Sequence, residues 1–195
     1  MIRSKKDLKR YLEQDARALG NADRKRPKLF GDDVWKFQIL LRKFEYYTNM
    51  KKSHRLLRAP AYLLCRYRFK VYSLRLGFYI PANVFDEGLS IAHYGTIVIN
   101  GAARVGKNCR LHEGVNIGAT NGSKKAPIIG NNVFIATGAK IIGDITIADN
   151  VVIGANAVVV KSIEEEGVTY AGVPAKKISD NSSRLHLDPA LFAES

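Results

Sequence analysis

The sequence predicts a mainly β protein, a left-handed parallel β-helix preceded by an α-helical N-terminal segment. Three observations carry that expectation. Aliphatic side chains stand six apart at Ile129, Ile135, Ile141, Ile147, Ile153 and Val159. The same spacing runs upstream through Ile99, Val105, Leu111 and Ile117, and earlier through Phe85 and Ile91. Before Gly77 the apolar residues instead recur at three and four, the period of a helix.

A six-residue period is too short for a helical solenoid and matches the hexapeptide repeat of parallel β-helices. Three hexads close one triangular coil, and coils stack at about the 4.8 Å strand spacing of a sheet with the markers pointing inward. Ile117 and Ile129 are two hexads apart, so the register survives the stretch Gly118 to Ile128. Only between Ile91 and Ile99 does it slip, by two residues. Small residues follow several markers, as in Val105-Gly106, Ile117-Gly118 and Ile129-Gly130, and suit tight corners.

In the N-terminal segment Leu8, Tyr11 and Leu12, then Val34, Phe37, Leu40, Leu41 and Phe44, mark helix faces. Breaks fall at Gly20 to Pro27 and near Met50 to Ser53, with Asp32 or Asp33 as an N-cap and a third helical stretch over Pro60 to Leu76. The expected organisation is a helical segment at 1–76, a β-helix domain at 77–178 and a C-terminal tail at 179–195. The net charge of +13 is uneven: residues 1–78 carry 21 Lys and Arg against 7 Asp and Glu, whereas residues 79–195 carry 10 against 11. That basic third is read either as a solvated helical face or as attraction for an anionic substrate, a nucleic acid or an acidic membrane surface. No aromatic-basic recognition motif supports nucleic acid. No run of eighteen apolar residues occurs and the first twenty lack the apolar centre of a signal peptide, so a cytoplasmic protein is expected. Cys65 and Cys109 are read as reduced, buried filler without a disulfide or zinc role.

The repeat, the segment Ser90-Ile91-Ala92-His93-Tyr94-Gly95 and the ending Ala171-Gly172-Val173-Pro174-Ala175-Lys176-Lys177 together resemble the serine acetyltransferase branch of the hexapeptide acyltransferases. More narrowly, they are similar to members found among polysaccharide-synthesis enzymes. The resemblance covers about Gly77 to Ile178. It implies an acyltransferase (O-acetyltransferase) that uses acetyl-CoA as cosubstrate, and homotrimers with sites between neighbouring coils, paired through the N-terminal helices.

Moving an acetyl group from a thioester to a hydroxyl needs a base, donors for the developing oxyanion and a slot for the pantetheine arm. An imidazole suits the first, its ordinary pKa near 6.5 lying close to the working pH. Of four histidines, His54 and His186 sit in polar surroundings expected at the surface, while His93 stands where the resembling family places its catalytic histidine. The chain departs from the family pattern in carrying Ala92 and Phe78 where carboxylates are usual, and Ala126 where a histidine is usual. A replacement partner for His93 follows from the repeat: each of His93 and Glu113 is two past a marker, and they are one coil apart once the slip is removed. Glu113 would then hold the imidazole and stabilise its cation, with His112 beside it to bind acceptor.

Gly118, Ala119 and Thr120, then Thr137, Gly138 and Ala155, are small or turn residues along which the resemblance places the pantetheine arm. Lys124, Lys125, Lys176 and Lys177 are candidates to meet its phosphates as point charges. No metal is expected, because a carbonic anhydrase site needs three imidazoles and only His93 and His112 lie in the repeat. The expected acceptor is a sugar hydroxyl of a polysaccharide or its precursor, with Phe78 and Ala92 offering an apolar platform. Serine is the alternative if Glu113, Asp86 or Glu87 supplies the missing carboxylate, and a non-catalytic binding or assembly protein is a further one. Serine acetyltransferases that dock onto the next enzyme of cysteine synthesis resemble one another in ending with isoleucine. Here the end is Phe192-Ala193-Glu194-Ser195, and no such complex is expected.

Overall fold

The computed structural model describes residues 1–50, 57–120 and 122–192. The expectation for His54, the Met50–Ser53 break beyond Met50, and the last three residues lie outside them. Among the described residues three helices come first: α1 (Lys5–Ala18), α2 (Asp33–Asn49) and α3 (Ala59–Leu76). Strands β1 (Phe78–Tyr79), β2 (Ser90–Ile91), β3 (Ile97–Ile99), β4 (Arg104–Val105), β5 (Arg110–Leu111), β6 (Asn116–Gly118) and β7 (Ile128–Ile129) follow. The series continues with β8 (Phe134–Ile135), β9 (Lys140–Ile142), β10 (Thr146–Ile147), β11 (Val152–Ile153), β12 (Val158–Val159), β13 (Thr169–Ala171) and β14 (Lys176–Ser179).

These short strands build the three faces of a left-handed parallel β-helix. One face orders β1-β3-β6-β9-β12, a second β4-β7-β10, and the third β2-β5-β8-β11-β13 with β14 antiparallel at its edge. All twelve markers from Phe85 to Val159 are buried, Ile135, Ile141 and Ile153 completely. A second inward column stands two residues before the markers and includes Ala103, Cys109, Val115, Val133, Ala139, Val151 and Ala157. Cys109 is one of them, and burial pushes its thiol up to about 12.

Pairing across successive coils shows where the repeat is interrupted. Phe134 pairs with Val152 and Lys140 with Val158, the full three-hexad step. Arg110, however, pairs with Phe134 and Asn116 with Lys140, one hexad longer, so the stretch after Gly118 is a loop inserted at a corner. The two-residue slip appears as Ile91 opposite Leu111, because the turn after β2 is longer. One corner is held by left-handed asparagines, Asn108, Asn132 and Asn150, whose amides form a ladder from coil to coil at 2.9 and 3.0 Å. Asparagine tolerates that backbone region better than other side chains.

The helices close the open first coil, whose backbone groups have no preceding coil to bond. Gln38 donates to Leu89 O at 2.7 Å and accepts from Ile91 N at 3.1 Å. Arg42, fully buried, donates to Asp15, to Glu45 and to the carbonyls of Phe85 and Asp86, while Asp15 accepts from Gly88 N and Leu89 N. Phe37 continues the β-helix core, edge-on to Phe78 with ring centres 4.9 Å apart. Ser4 and Asp7 form a capping box on α1. Asp32 is the N-cap of α2 but, being left-handed, makes no cap hydrogen bond; its carboxylate accepts from Arg24 and from Lys28 N.

Ile141→Asp puts an unpaired carboxylate into a fully buried column and is expected to cost more than about 4 kcal/mol, read by urea unfolding. A mutant as stable as the parent would show that Ile141 does not face the interior.

Candidate functional site

The site forms at the corner between the six-stranded and five-stranded faces, in the turns that follow β2, β5 and β8. Because Ile91 pairs with Leu111 and Leu111 with Ile135, residues two past each marker stack: His93, Glu113 and Thr137. The backbone ties these turns together through Gly138 N to Glu113 O at 2.9 Å and Asn156 N to Thr137 O at 2.8 Å. Donor atoms of His93, His112 and Glu113 all lie within 4.8 Å of one another. The His93 and His112 rings meet edge to face, centres 5.5 Å apart.

Glu113 is the anionic centre of the group. Its Oε1 accepts from the Thr137 hydroxyl, while its Oε2 is buried with no hydrogen-bond partner among the described residues. The Thr137 hydroxyl and Glu113's own backbone N–H hold its carboxyl below the usual glutamate range, and the two imidazoles add to this. Burial, and then the charge of Arg110, lower the pKa of His112 against the opposing pull of Glu113. His93 is exposed on the turn, with its ring free to meet a ligand from solvent. Gly95 makes the close packing possible: its φ is +136° and an added Cβ would stand 2.9 Å from Glu113 Cβ. Two imidazoles and a carboxylate are also a donor set for a divalent metal.

The expected coenzyme residues divide between two corners. Thr137, Gly138 and Ala155 continue the file below Glu113, where Gly138 is left-handed and a Cβ there would meet Asn156 at 2.0 Å. Gly118, Ala119 and Thr120 instead begin the inserted loop at the other end of β6, with Gly118 O accepting from Gly143 N. They do not form one file. Lys124 and Lys176 are exposed. Lys125 is paired with Asp144 at 2.8 Å, and Lys177 with both Glu165 and Asp180 at 2.6 Å, which raises its pKa and occupies its charge.

One expected feature is corrected. Phe78 is 4% exposed and sealed under Phe37, so it offers no face to a substrate. His186 is exposed but not isolated: it stacks on Phe134 at 4.7 Å, and Phe134 meets His112 at 5.2 Å. The tail reaches this place because Ser183 bonds the carbonyls of Asn132 and Asn150. No local sequence signal announces it. Ala92 lies half-buried beside His93, its N–H donating to Leu111 O at 3.0 Å. Asp86 and Glu87 are held by Tyr11 and by Arg10 and Lys107, away from the histidines. Thr137, read from the sequence as a coenzyme contact, is the hydroxyl that grips Glu113.

Residues 126–161 match the family described as Bacterial transferase hexapeptide (six repeats). A serine acetyltransferase of Staphylococcus xylosus is 36% identical over 136 residues, 68% of this chain and 62% of the relative. The chain is a hexapeptide-repeat protein with serine acetyltransferases among its homologues. It spans less than two thirds of that relative's length. The crystal structure of serine acetyltransferase from Brucella abortus superposes with a TM-score of 0.70 at 26% identity, covering 92% of this chain and 72% of that one. The same enzyme in complex with coenzyme A gives 0.66 at 26% identity, covering 91% and 70%.

These relatives overturn the sugar-hydroxyl acceptor expected from Phe78 and Ala92. The physical reason is in the site. Phe78, the aromatic part of the expected apolar platform, is buried core, and a carboxylate, Glu113, stands beside His93.

Gly95→Ala is expected to cost about 1–3 kcal/mol, the range for backbone strain of this kind, because the added methyl collides with Glu113. Denaturant unfolding measures it, and an unchanged midpoint would mean that the turn yields freely.

Proposed function

We propose that the protein is an acetyl-CoA-dependent serine O-acetyltransferase with His93 as general base. The observation that carries the reading is the stack of His93 over Glu113, with one Glu113 oxygen held by Thr137 and the other unpartnered. The His93 imidazole on the exposed turn can take the proton of an acceptor hydroxyl as its oxygen attacks the thioester carbonyl. The tetrahedral adduct then expels the coenzyme thiolate, and the imidazolium returns the proton to that sulfur. The ionised Glu113 steadies the imidazolium between the two transfers, as a carboxylate does in a triad.

The acceptor follows from the same carboxylate and from what the relatives are called. Serine brings an ammonium group that needs a negative partner once water is excluded, and Glu113 is the carboxylate that stands beside His93 and His112. Ala155, small and exposed, leaves the backbone of this file open to a pantetheine chain, with Gly118, Ala119 and Thr120 on the neighbouring corner. Lys124 and Lys176 are the exposed cations for its phosphates, Lys125 and Lys177 being already engaged. A homotrimer would bring a neighbouring copy's corner against this exposed file.

Steady-state assay of thiol release from acetyl-CoA with L-serine tests the reading. Turnover with serine is expected, and its absence would falsify the proposed acceptor. His93→Ala should lower kcat by about 10²- to 10⁴-fold with acetyl-CoA binding kept, and Glu113→Gln should give a smaller loss together with a raised KM for serine. Full turnover in His93→Ala would remove the base from this position.

A further inference from the structure

Helix α3 is apolar on two opposite sides. One side packs inward: Cys65 is buried with its thiol 3.8 Å from Leu40 O, Phe69 stacks on Phe37 and Phe44, and Leu76 joins the core. At 3.6 residues per turn, Leu64, Tyr67, Val71 and Leu74 form a second stripe half a turn away, with Leu63 on its border. All five are exposed, Leu74 to 70% and Tyr67 to 68%. Ordinary solvated helices do not repeat large apolar residues at three and four on their outer face.

Cations flank the stripe. Arg66 and Lys70 stand on one side and Arg68 and Arg75 on the other, and residues 59–76 contain no Asp or Glu. Arg75 also pairs with Asp33 of α2 at 3.3 Å. Arg68 borders a groove of about 1100 Å³ that Lys25, Arg26, Lys28 and Lys43 line around Trp35. The cationic margin therefore extends from α3 across α2 and the segment before it.

We propose that this α3 stripe, with its cationic flanks, is a docking surface for an acidic phospholipid bilayer. An apolar helix face edged by Lys and Arg lies in the plane of the headgroups, its leucines in the acyl boundary and its cations on anionic phosphates. Tyr67, apolar in body and polar at its tip, suits that boundary. None of the described helices is long and apolar enough to cross a membrane, so the contact is peripheral. Charge decides against a second copy as occupant: pairing the stripes of two chains would set Arg66, Arg68 and Lys70 against their own kind. The inference goes beyond acetyl transfer and is tested without it.

The test is sedimentation of the full chain with vesicles of equal parts phosphatidylglycerol and phosphatidylcholine, against phosphatidylcholine alone. Binding is expected only to the acidic vesicles and should weaken as salt rises. Arg66→Gln with Lys70→Gln should lower the partition coefficient about thirtyfold, and Leu64→Gln with Leu74→Gln at least about tenfold. Absence of binding, equal binding to neutral vesicles, or unchanged binding by either variant would overturn the proposal. So would a leucine variant whose molar mass by light scattering falls in the absence of lipid, since the stripe would then join protein copies. If a variant does not fold, the lipid-charge and salt comparisons on the native chain still decide.

Discussion

Everything in this protein depends on the coil-to-coil register set by the buried aliphatic column. Each marker from Phe85 to Val159 points inward, and each pairs in parallel with the residue one coil away. A shift by one residue would turn the column out to solvent, so the burial that stabilises the fold also fixes which corner residues stack. The inserted loop after Gly118 and the long turn after Ile91 lengthen two coils without disturbing the register, because the extra residues leave the stack at corners.

The site is a consequence of that stacking. His93, Glu113 and Thr137 occupy the same place in three successive turns, so a carboxylate comes to lie between an imidazole and a hydroxyl with no element devoted to positioning them. Gly95 and Gly138 are needed where the turns pass within contact of one another. Thr137 holds one carboxylate oxygen, which keeps Glu113 charged at neutral pH and fixes its direction, while the other oxygen is buried without a partner among the described residues.

The helices solve a different problem. A β-helix has an open end whose backbone groups would otherwise be buried without partners. Arg42, Asp15 and Gln38 satisfy Phe85, Asp86, Gly88, Leu89 and Ile91, and Phe37 extends the apolar column into the helical layer. Burying this ionic cluster is tolerable because each of its polar groups finds a partner. With their inner sides committed, the helices present their remaining basic and apolar surface outward.

The sequence by itself determined the period, the inward markers and the one-coil spacing of His93 and Glu113, since a strict six-residue repeat translates directly into stacked positions. It also held the basic bias of the first third. The second inward column was not legible, because Ala103, Cys109 and Ala157 are unremarkable as letters and only the folded coils show them buried. Tertiary structure decided what the side chains touch: Phe37 buries Phe78, Glu165 and Asp180 occupy Lys177, and the tail brings His186 onto Phe134. Those outcomes come from contacts between residues far apart in the chain, to which a repeat period carries no information.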